Sequence, residues 1–313
     1  MSETKSSDAL NDPVPDHRSF APEAALLTTI TLWSSTFIVT KDQLDVFSPL
    51  AFIFIRFLLM VVMAIVIMTI QTRGFPLPDR GHLPRFMAAG LTGYTFYQLG
   101  FVLGLDRTSV FASSLLIATS PLFTMVILAV IGERSPALSW AGLAVAVAGV
   151  AVFLIDKRGG ERSLEGDLLS IMAAVSFAVY GIINRPLTKA YPPAVSTAYA
   201  VTLGTIPLLL ISIPDAIDQD WGTISTTSWL AVLYMVVFPV YVAYMLWNFG
   251  IQRRGAAVAS SFGLLVPILS GILSALIFDE HFGPLKLAGA ALVLAGLLTI
   301  RIGAMRRERQ PAG

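Results

Sequence analysis

The chain has 313 residues, of which 55% are hydrophobic and 13% are charged, and its mean hydropathy is +0.75. Charged residues make up about 25% of an average soluble domain, so this composition predicts a polytopic membrane protein. The net charge of +1 and the scattered cationic residues give no reason to expect a nucleic acid partner. The absence of cysteine excludes disulfides and thiolate chemistry, and the three histidines lack the spacing of a metal site. No metal or cofactor is therefore expected.

The first 21 residues are polar, contain Pro13 and Pro15, and have no apolar stretch. We interpret residues 1–21 as a disordered cytoplasmic tail. A cleavable signal peptide would need a basic segment that leads directly into a short apolar core. The first apolar segment of this chain is too long and begins too late for that.

Apolar runs close to the length that spans a ~30 Å hydrocarbon core follow one another along the rest of the chain. In lipid the backbone must satisfy its own hydrogen bonds, so such long runs predict helices and not the short alternating strands of a barrel. The expected fold is an all-α membrane protein with ten transmembrane helices. The predicted spans are residues 22–40, 48–70, 83–105, 110–131, 138–155, 166–187, 193–213, 227–250, 256–278 and 284–302.

The distribution of lysine and arginine predicts the orientation in the membrane. With a cytoplasmic amino terminus, the inside segments hold fourteen of these residues and the outside segments hold six, while Arg56 lies within a span. The positive-inside rule then places both termini in the cytoplasm. We expect a protein that is integral to the inner cell membrane.

A long internal repeat divides the chain into two halves of five predicted spans, residues 22–155 and 166–302. Residues 156–165 are the expected linker, and residues 303–313 are a basic cytoplasmic tail. An odd number of spans makes the second half enter the membrane from the opposite side, so the repeats are inverted. Inverted repeats around a central cavity are common in secondary transporters, although duplication alone also suits a channel. The matching residues are Gly104, Arg107, Ser114 and Pro121 with Gly250, Arg253, Ser260 and Pro267 at an offset of 146, and Glu133, Gly142 and Gly149 with Glu280, Gly289 and Gly296 at an offset of 147.

Several short motifs resemble one transporter family. They are LWSSTF at residues 32–37, Arg56 in the second span, SPLFTMVILAVIGE ending at Glu133, and a weaker echo, VPILSGILSALIFDE, ending at Glu280. In this order they resemble the drug/metabolite transporter superfamily, in particular its ten-helix exporters with two EamA-type repeats, and among those the YddG-type aromatic amino acid exporters. The resemblance covers residues 24–302 and implies a transporter and not an enzyme. The second half departs from the pattern, because Ala178 and Tyr180 stand in place of the tryptophan region and no arginine in that half corresponds to Arg56.

Two predicted spans carry matching tyrosines at the spacing of one helical face. A tyrosine hydroxyl buried in a membrane needs a partner, and a wet cavity supplies one more readily than lipid does. We therefore interpret both faces as walls of a substrate cavity; the alternative is anchoring at the membrane interface. The faces comprise Tyr94, Tyr97, Gln98 and Phe101 in the third span and Tyr241, Tyr244 and Asn248 in the eighth.

Further candidates for substrate contact lie in other spans. Trp33 stands midway along the first span and is interpreted either as part of the cavity wall or as a packing residue. Arg56 is a costly charge within a span, suited either to a substrate carboxylate or to structural pairing. Tyr180 and Asn184 in the sixth span are weaker candidates. Pro121 and Pro267 each remove a backbone hydrogen bond in mid-span, so they are candidate hinges, and a static bend is the alternative.

The main functional hypothesis is a monomeric exporter of small amphipathic metabolites, with aromatic or hydrophobic amino acids favoured. No Asp or Glu lies in the middle of a predicted span and no Walker sequence is present, so uniport or exchange is expected and not coupling through a buried carboxylate. A sugar-phosphate or nucleotide-sugar carrier is the alternative and would need several cations in the cavity. A passive channel and an intramembrane enzyme are more remote, because an enzyme would need clustered polar residues at one interface.

Overall fold

The structure is a computed structural model that describes residues 20–155 and 164–308, and every regular element in these ranges is helical. The all-α class expected from the sequence is confirmed for them. Residues 1–19 of the expected amino-terminal tail, 156–163 of the linker and 309–313 of the basic tail lie outside the described residues. The helices are α1 (Ala21–Gln43), α2 (Pro49–Thr72), α3 (Leu83–Gly90), α4 (Tyr97–Arg107), α5 (Val110–Ile117), α6 (Ser120–Val130), α7 (Ala137–Ile155), α8 (Leu164–Ala190), α9 (Pro193–Asp218), α10 (Thr226–Val237), α11 (Ala243–Arg254), α12 (Ala256–Phe262), α13 (Leu265–Ile277) and α14 (Pro284–Glu308).

Seven helical stretches within the described residues are long and apolar enough to cross a membrane. Helix α13 is a shorter apolar helix. Helix α1 and the α3–α4 pair are not among the seven. The seven stretches are Pro49–Thr72, Val110–Val130, Ala137–Ile155, Leu164–Ala190, Pro193–Asp218, Thr226–Arg254 and Pro284–Arg306.

Two of the predicted spans are broken near their central prolines. Helix α5 ends at Ile117 and α6 carries Pro121 in its first turn, while α12 ends at Phe262 and α13 carries Pro267 in its first turn. A proline lacks an N–H and its ring clashes with the carbonyl four residues earlier, which is the carbonyl of Ile117 or Gly263. The bends expected from the sequence are therefore breaks, and their role as hinges stays a prediction.

Two π-helical segments interrupt the helical stretches that carry the tyrosines. We call a helical stretch that corresponds to one predicted span a rod. The first, Leu91–Phe96, joins α3 to α4, and the second, Phe238–Val242, joins α10 to α11. Their first residues are 147 positions apart in the sequence, the same offset that relates the two halves. Short π segments are rare and often mark functional sites. Both segments are absent from the expectations drawn from the sequence.

Glycines bring α7 and α14 into close contact. A Cβ atom on Gly142 would lie 2.7 Å from the Gly296 carbonyl oxygen, and one on Gly149 would lie 2.9 Å from that of Gly289. The lower residue number in one helix meets the higher number in the other, so the two helices are antiparallel. Small residues favour such close helix packing in membranes, where the hydrophobic effect contributes little to helix association.

Replacing Gly142 by leucine should destabilise the protein, because overpacking a close contact costs about 1–3 kcal/mol. The matched control is Gly181→Leu, since a Cβ atom at Gly181 would meet nothing within 4 Å. The measurement is the thermal unfolding midpoint of each variant in detergent. We expect a clear fall for Gly142→Leu and little change for Gly181→Leu. Equal midpoints for the two variants would contradict the glycine contact.

Candidate functional site

A cluster of aromatic rings lies between α1 and α11. The Trp33 ring is 4.9 Å from the Trp247 ring and 5.8 Å from the Tyr244 ring, measured between centroids. The indole Nε1 of Trp33 donates a hydrogen bond of 3.1 Å to the carbonyl oxygen of Pro239. That carbonyl belongs to the second π segment, so the irregular backbone supplies the acceptor that a buried indole needs. Trp33 is therefore fixed against the rod that carries Tyr244.

A second aromatic cluster lies where α4 and the first π segment meet α8. The Tyr94 and Tyr180 rings are 5.8 Å apart, and Phe177 lies 5.4 Å from Tyr97 and 5.9 Å from Tyr180. Gly93 makes this packing fit, because a Cβ atom there would overlap the Tyr180 ring. The first π segment thus holds its tyrosine directly against α8 of the other predicted half.

The two aromatic clusters face a common region. The hydroxyl of Tyr244 lies within electrostatic range of those of Tyr94, Tyr97 and Tyr180, and Tyr94 is also within range of Tyr241. Although Tyr244 lies within a helix and contacts Trp33, its side chain is 50% exposed. About half of its surface is therefore not covered by the described residues. The structure therefore brings the five tyrosines named from the sequence together, and their contact with a substrate stays a prediction.

Arg56 is buried on α2, about 10 Å along the helix from its first residue. Its side chain is 4% exposed, its guanidinium lies 5.8 Å from the centre of the Phe57 ring, and it interacts electrostatically with the Tyr97 hydroxyl. Its Nε and Nη1 atoms have no hydrogen-bond partner among the described residues. A buried guanidinium that is only partly paired carries a high desolvation cost, and an anion bound beside Tyr97 would reduce it.

The remaining predicted residues fall into different surroundings. Gln98 is 7% exposed, and its Oε1 atom has no hydrogen-bond partner among the described residues. Asn184 donates a hydrogen bond of 3.1 Å to the Tyr180 hydroxyl and accepts one from Ser196, so it supports Tyr180. Phe101 is 2% exposed and packs against Phe37 in the core, so it does not line an open space. Asn248 is exposed on α11.

Several residues of the region were not selected from the sequence. Phe177 precedes Tyr180 by three positions, so the helical spacing could have identified it. Trp247 on α11 also belongs to the first cluster, because its ring contacts Trp33. The hydroxyls of Ser35 and Tyr234 lie 2.6 Å apart and join α1 to α10. No sequence pattern indicates that contact, because the two residues are far apart in the chain.

Known proteins with similar sequences are transporters. A probable amino-acid metabolite efflux pump of Salmonella typhimurium is 29% identical over 282 residues, which cover 87% of this chain and 91% of that protein. A probable terminal-alkyne amino-acid exporter of Streptantibioticus cattleyicolor is 27% identical over 287 residues, which cover 91% and 95%. One solved crystal structure has the same fold, with a TM-score of 0.61, 21% identity and coverage of 95% of this chain and 100% of that chain.

The pattern of the EamA-like transporter family matches this chain twice, at residues 22–155 and 164–302. These two matches cover most of the sequence, and the seven apolar helical stretches agree with a protein integral to a membrane. The expectation of a transporter and not an enzyme is confirmed by this match. The chain belongs to the EamA-like transporter family.

Proposed function

We propose that the protein exports amino acids or similar small amphipathic metabolites, with aromatic and hydrophobic amino acids preferred. The observation that carries this proposal is the pair of aromatic clusters that face one region beside a buried, partly unpaired Arg56. The rings provide an apolar surface for a side chain, and Arg56 provides a partner for a carboxylate. The relatives named as amino-acid exporter and efflux pump support the direction of transport.

The architecture behind this proposal is ten spans in two inverted halves, with both termini in the cytoplasm of the inner membrane. The helices group into ten rods when α3–α4, α5–α6, α10–α11 and α12–α13 are each joined. The antiparallel contact of α7 and α14, the fifth rods of the two halves, supports the inversion. The two matches of the family, one to each half, support the division near residue 160.

Two ion pairs support the same symmetry. Arg107 at the end of α4 lies 3.1 Å from Glu165 in the first turn of α8. Arg254 at the end of α11 lies 2.6 Å from Glu23 in the first turn of α1. Each pair joins the third rod of one half to the first rod of the other, and each arginine lies in the last turn of its helix.

The polar groups of the region suit an amino acid. The Nε and Nη1 donors of Arg56 match a carboxylate, since hydrogen bonds between charged groups are about twice as strong as neutral ones. The tyrosine hydroxyls and the free Oε1 acceptor of Gln98 match an ammonium group. A sugar phosphate would call for several cations in the cavity. Arg56 is the cation deep within a predicted span, whereas Arg85, Arg185, Lys286 and Arg301 stand within two residues of a span end. Uniport or exchange remains the proposed mode, with the small-molecule substrate bound by a monomer.

Efflux from loaded proteoliposomes tests the substrate class. We expect saturable export of phenylalanine, tryptophan, threonine or methionine, with the aromatic amino acids at the lowest half-saturation concentration. Counterflow that saturates would separate a carrier from a channel. If none of the four amino acids moves faster than in protein-free vesicles, the proposed substrate class is wrong.

Removing one aromatic wall should weaken transport of aromatic substrates. In Tyr97→Ala and Tyr244→Ala we expect the half-saturation concentration for phenylalanine to rise about tenfold, because one lost aromatic contact is worth roughly 0.5–1.5 kcal/mol beyond its buried area. Threonine transport should change less. The control is Trp140→Ala, which removes a ring that is 44% exposed on α7. Normal phenylalanine transport by both tyrosine variants would exclude these residues from the site.

Arg56 should act on the carboxylate of the substrate. We expect Arg56→Gln to reduce phenylalanine transport about 10- to 100-fold, since a charge-assisted hydrogen bond contributes roughly 1.5–3 kcal/mol. Transport of phenylalaninamide, which lacks the carboxylate, should change little. The measurement is the ratio of the two transport rates in each variant. An equal loss for both compounds would indicate a structural role for Arg56.

A further inference from the structure

The corner between α4 and α5, residues 107–111, is held by groups from three sides. The Lys41 Nζ atom donates hydrogen bonds of 3.0 Å to the Leu105 carbonyl and 3.3 Å to the Thr108 carbonyl. The Thr108 hydroxyl donates one of 2.9 Å to Asp167 on α8. With the predicted topology this corner lies at the outer end of the protein.

The third contact comes from Glu280, which follows α13 in the other half. Its Oε1 atom accepts a hydrogen bond of 2.8 Å from the Val110 amide, and its Oε2 atom accepts one of 3.4 Å from the Phe111 amide. The first amides of a helix have no partner within it, so this carboxylate completes the amino terminus of α5. Ser274 donates a hydrogen bond of 3.0 Å to Oε2 and holds the carboxylate in place.

Phe111 extends the same contact between the halves. Its ring lies 4.7 Å from Phe282 and 5.7 Å from Phe153, and its side chain is 6% exposed. Gly271 on α13 makes room for it, because a Cβ atom there would come within 2.7 Å of the Phe111 ring. The amino terminus of α5 is thus tied to the second half by both polar and apolar contacts.

The backbone places a glutamate in the same way in both halves. Gly132 has a φ of 95° directly before Glu133, and Asp279 has a φ of 56° directly before Glu280. Glycine adopts positive φ at little cost, and aspartate tolerates it better than most residues. The offset of 147 relates both pairs, so the two glutamates occupy equivalent corners.

Their surroundings nevertheless differ. The side chain of Glu133 is 54% exposed, and its carboxylate lies 3.8 Å from Arg185, itself 65% exposed. The equivalent of α5 is α12, which begins after Gly255 and so receives no side-chain cap from that residue. Ala112 in α5 is fully buried, whereas its counterpart Val258 in α12 is 44% exposed. Glu280 therefore binds the amino terminus of a neighbouring helix, whereas the carboxylate of Glu133 lies beside Arg185 instead.

We propose that Glu280 and Glu133 are alternating latches of the transporter. Glu280 holds the outer end closed by binding the amino terminus of α5, and Glu133 binds the amino terminus of α12 when the outer end opens. This inference rests on the proposed transport between two inverted halves. It assigns a role in the conformational cycle to two glutamates that do not contact the substrate.

Thiol accessibility tests the latch without any substrate. The chain contains no cysteine, so Ser270→Cys places a single thiol on α13, one helical turn from Ser274 and at a residue that is 0% exposed. The measurement is its rate of reaction with a hydrophilic maleimide in nanodiscs, where both faces are accessible. We expect Glu280→Ala to raise this rate about tenfold or more, because the charge-assisted hydrogen bonds that close the end are lost.

Matched variants separate a latch from a general loss of stability. We expect Glu280→Gln to react at an intermediate rate, Asp279→Gly to react like the parent, and Glu133→Ala to react no faster than the parent. A reference thiol from Thr223→Cys, at an exposed position, should react equally in every background. If Glu280→Ala does not fold, the Gln variant is judged by the same criterion.

An unchanged rate in a folded Glu280 variant would overturn the proposal, as would an equal increase in Glu133→Ala. Such a result would leave amino acid export untouched, because no transport is measured. Conversely, a chain that exports none of the tested amino acids could still show the latch. The two proposals therefore fail separately.

Discussion

The arrangement of this structure depends on one constraint, which is the free-energy cost of a polar group that has no hydrogen-bond partner in lipid. Hydrocarbon offers no hydrogen bonds, so buried polar groups must find partners within the protein or in enclosed water. The tyrosines of the two clusters and Arg56 accordingly face other helices and the region between the rods. The stretch from α3 to α4, which hydropathy alone does not select as a span, holds Tyr94 and Tyr97.

Irregular backbone occurs where the rods meet this region. The π segments place Tyr94 and Tyr241 within them and free the Pro239 carbonyl for Trp33. The breaks before Pro121 and Pro267 divide two further rods into shorter helices. Close glycine packing of α7 against α14 holds a different part of the molecule together. In the proposed rocking mechanism, the close contact would move as one body and the breaks would be candidate hinges.

Much of the fold follows from local sequence, and most of the site does not. The prolines predict the breaks because the missing N–H and the clash act within one turn. The repeated tyrosines predict a shared region because the offset of 147 applies to whole rods. The π segments were missed, since Pro239 marks only one of them and Gly93 in the other contacts a residue of α8. The cap by Glu280 joins residues 170 positions apart, and no local pattern encodes such a contact.

The central claim is that the region between the rods is a wet cavity that binds an amino acid, and thiol protection tests it most directly. Tyr244→Cys and Val147→Cys place single thiols at positions whose parent side chains are 50% and 55% exposed, one facing the proposed cavity and one on α7. The measurement is the rate of reaction of each thiol with a hydrophilic reagent, with and without phenylalanine. The account predicts that the thiol at position 244 reacts and is protected by phenylalanine, while the thiol at position 147 faces lipid and stays unreactive. Equal reactivity at both positions, or no protection at position 244 by any of the four proposed amino acids, would contradict it.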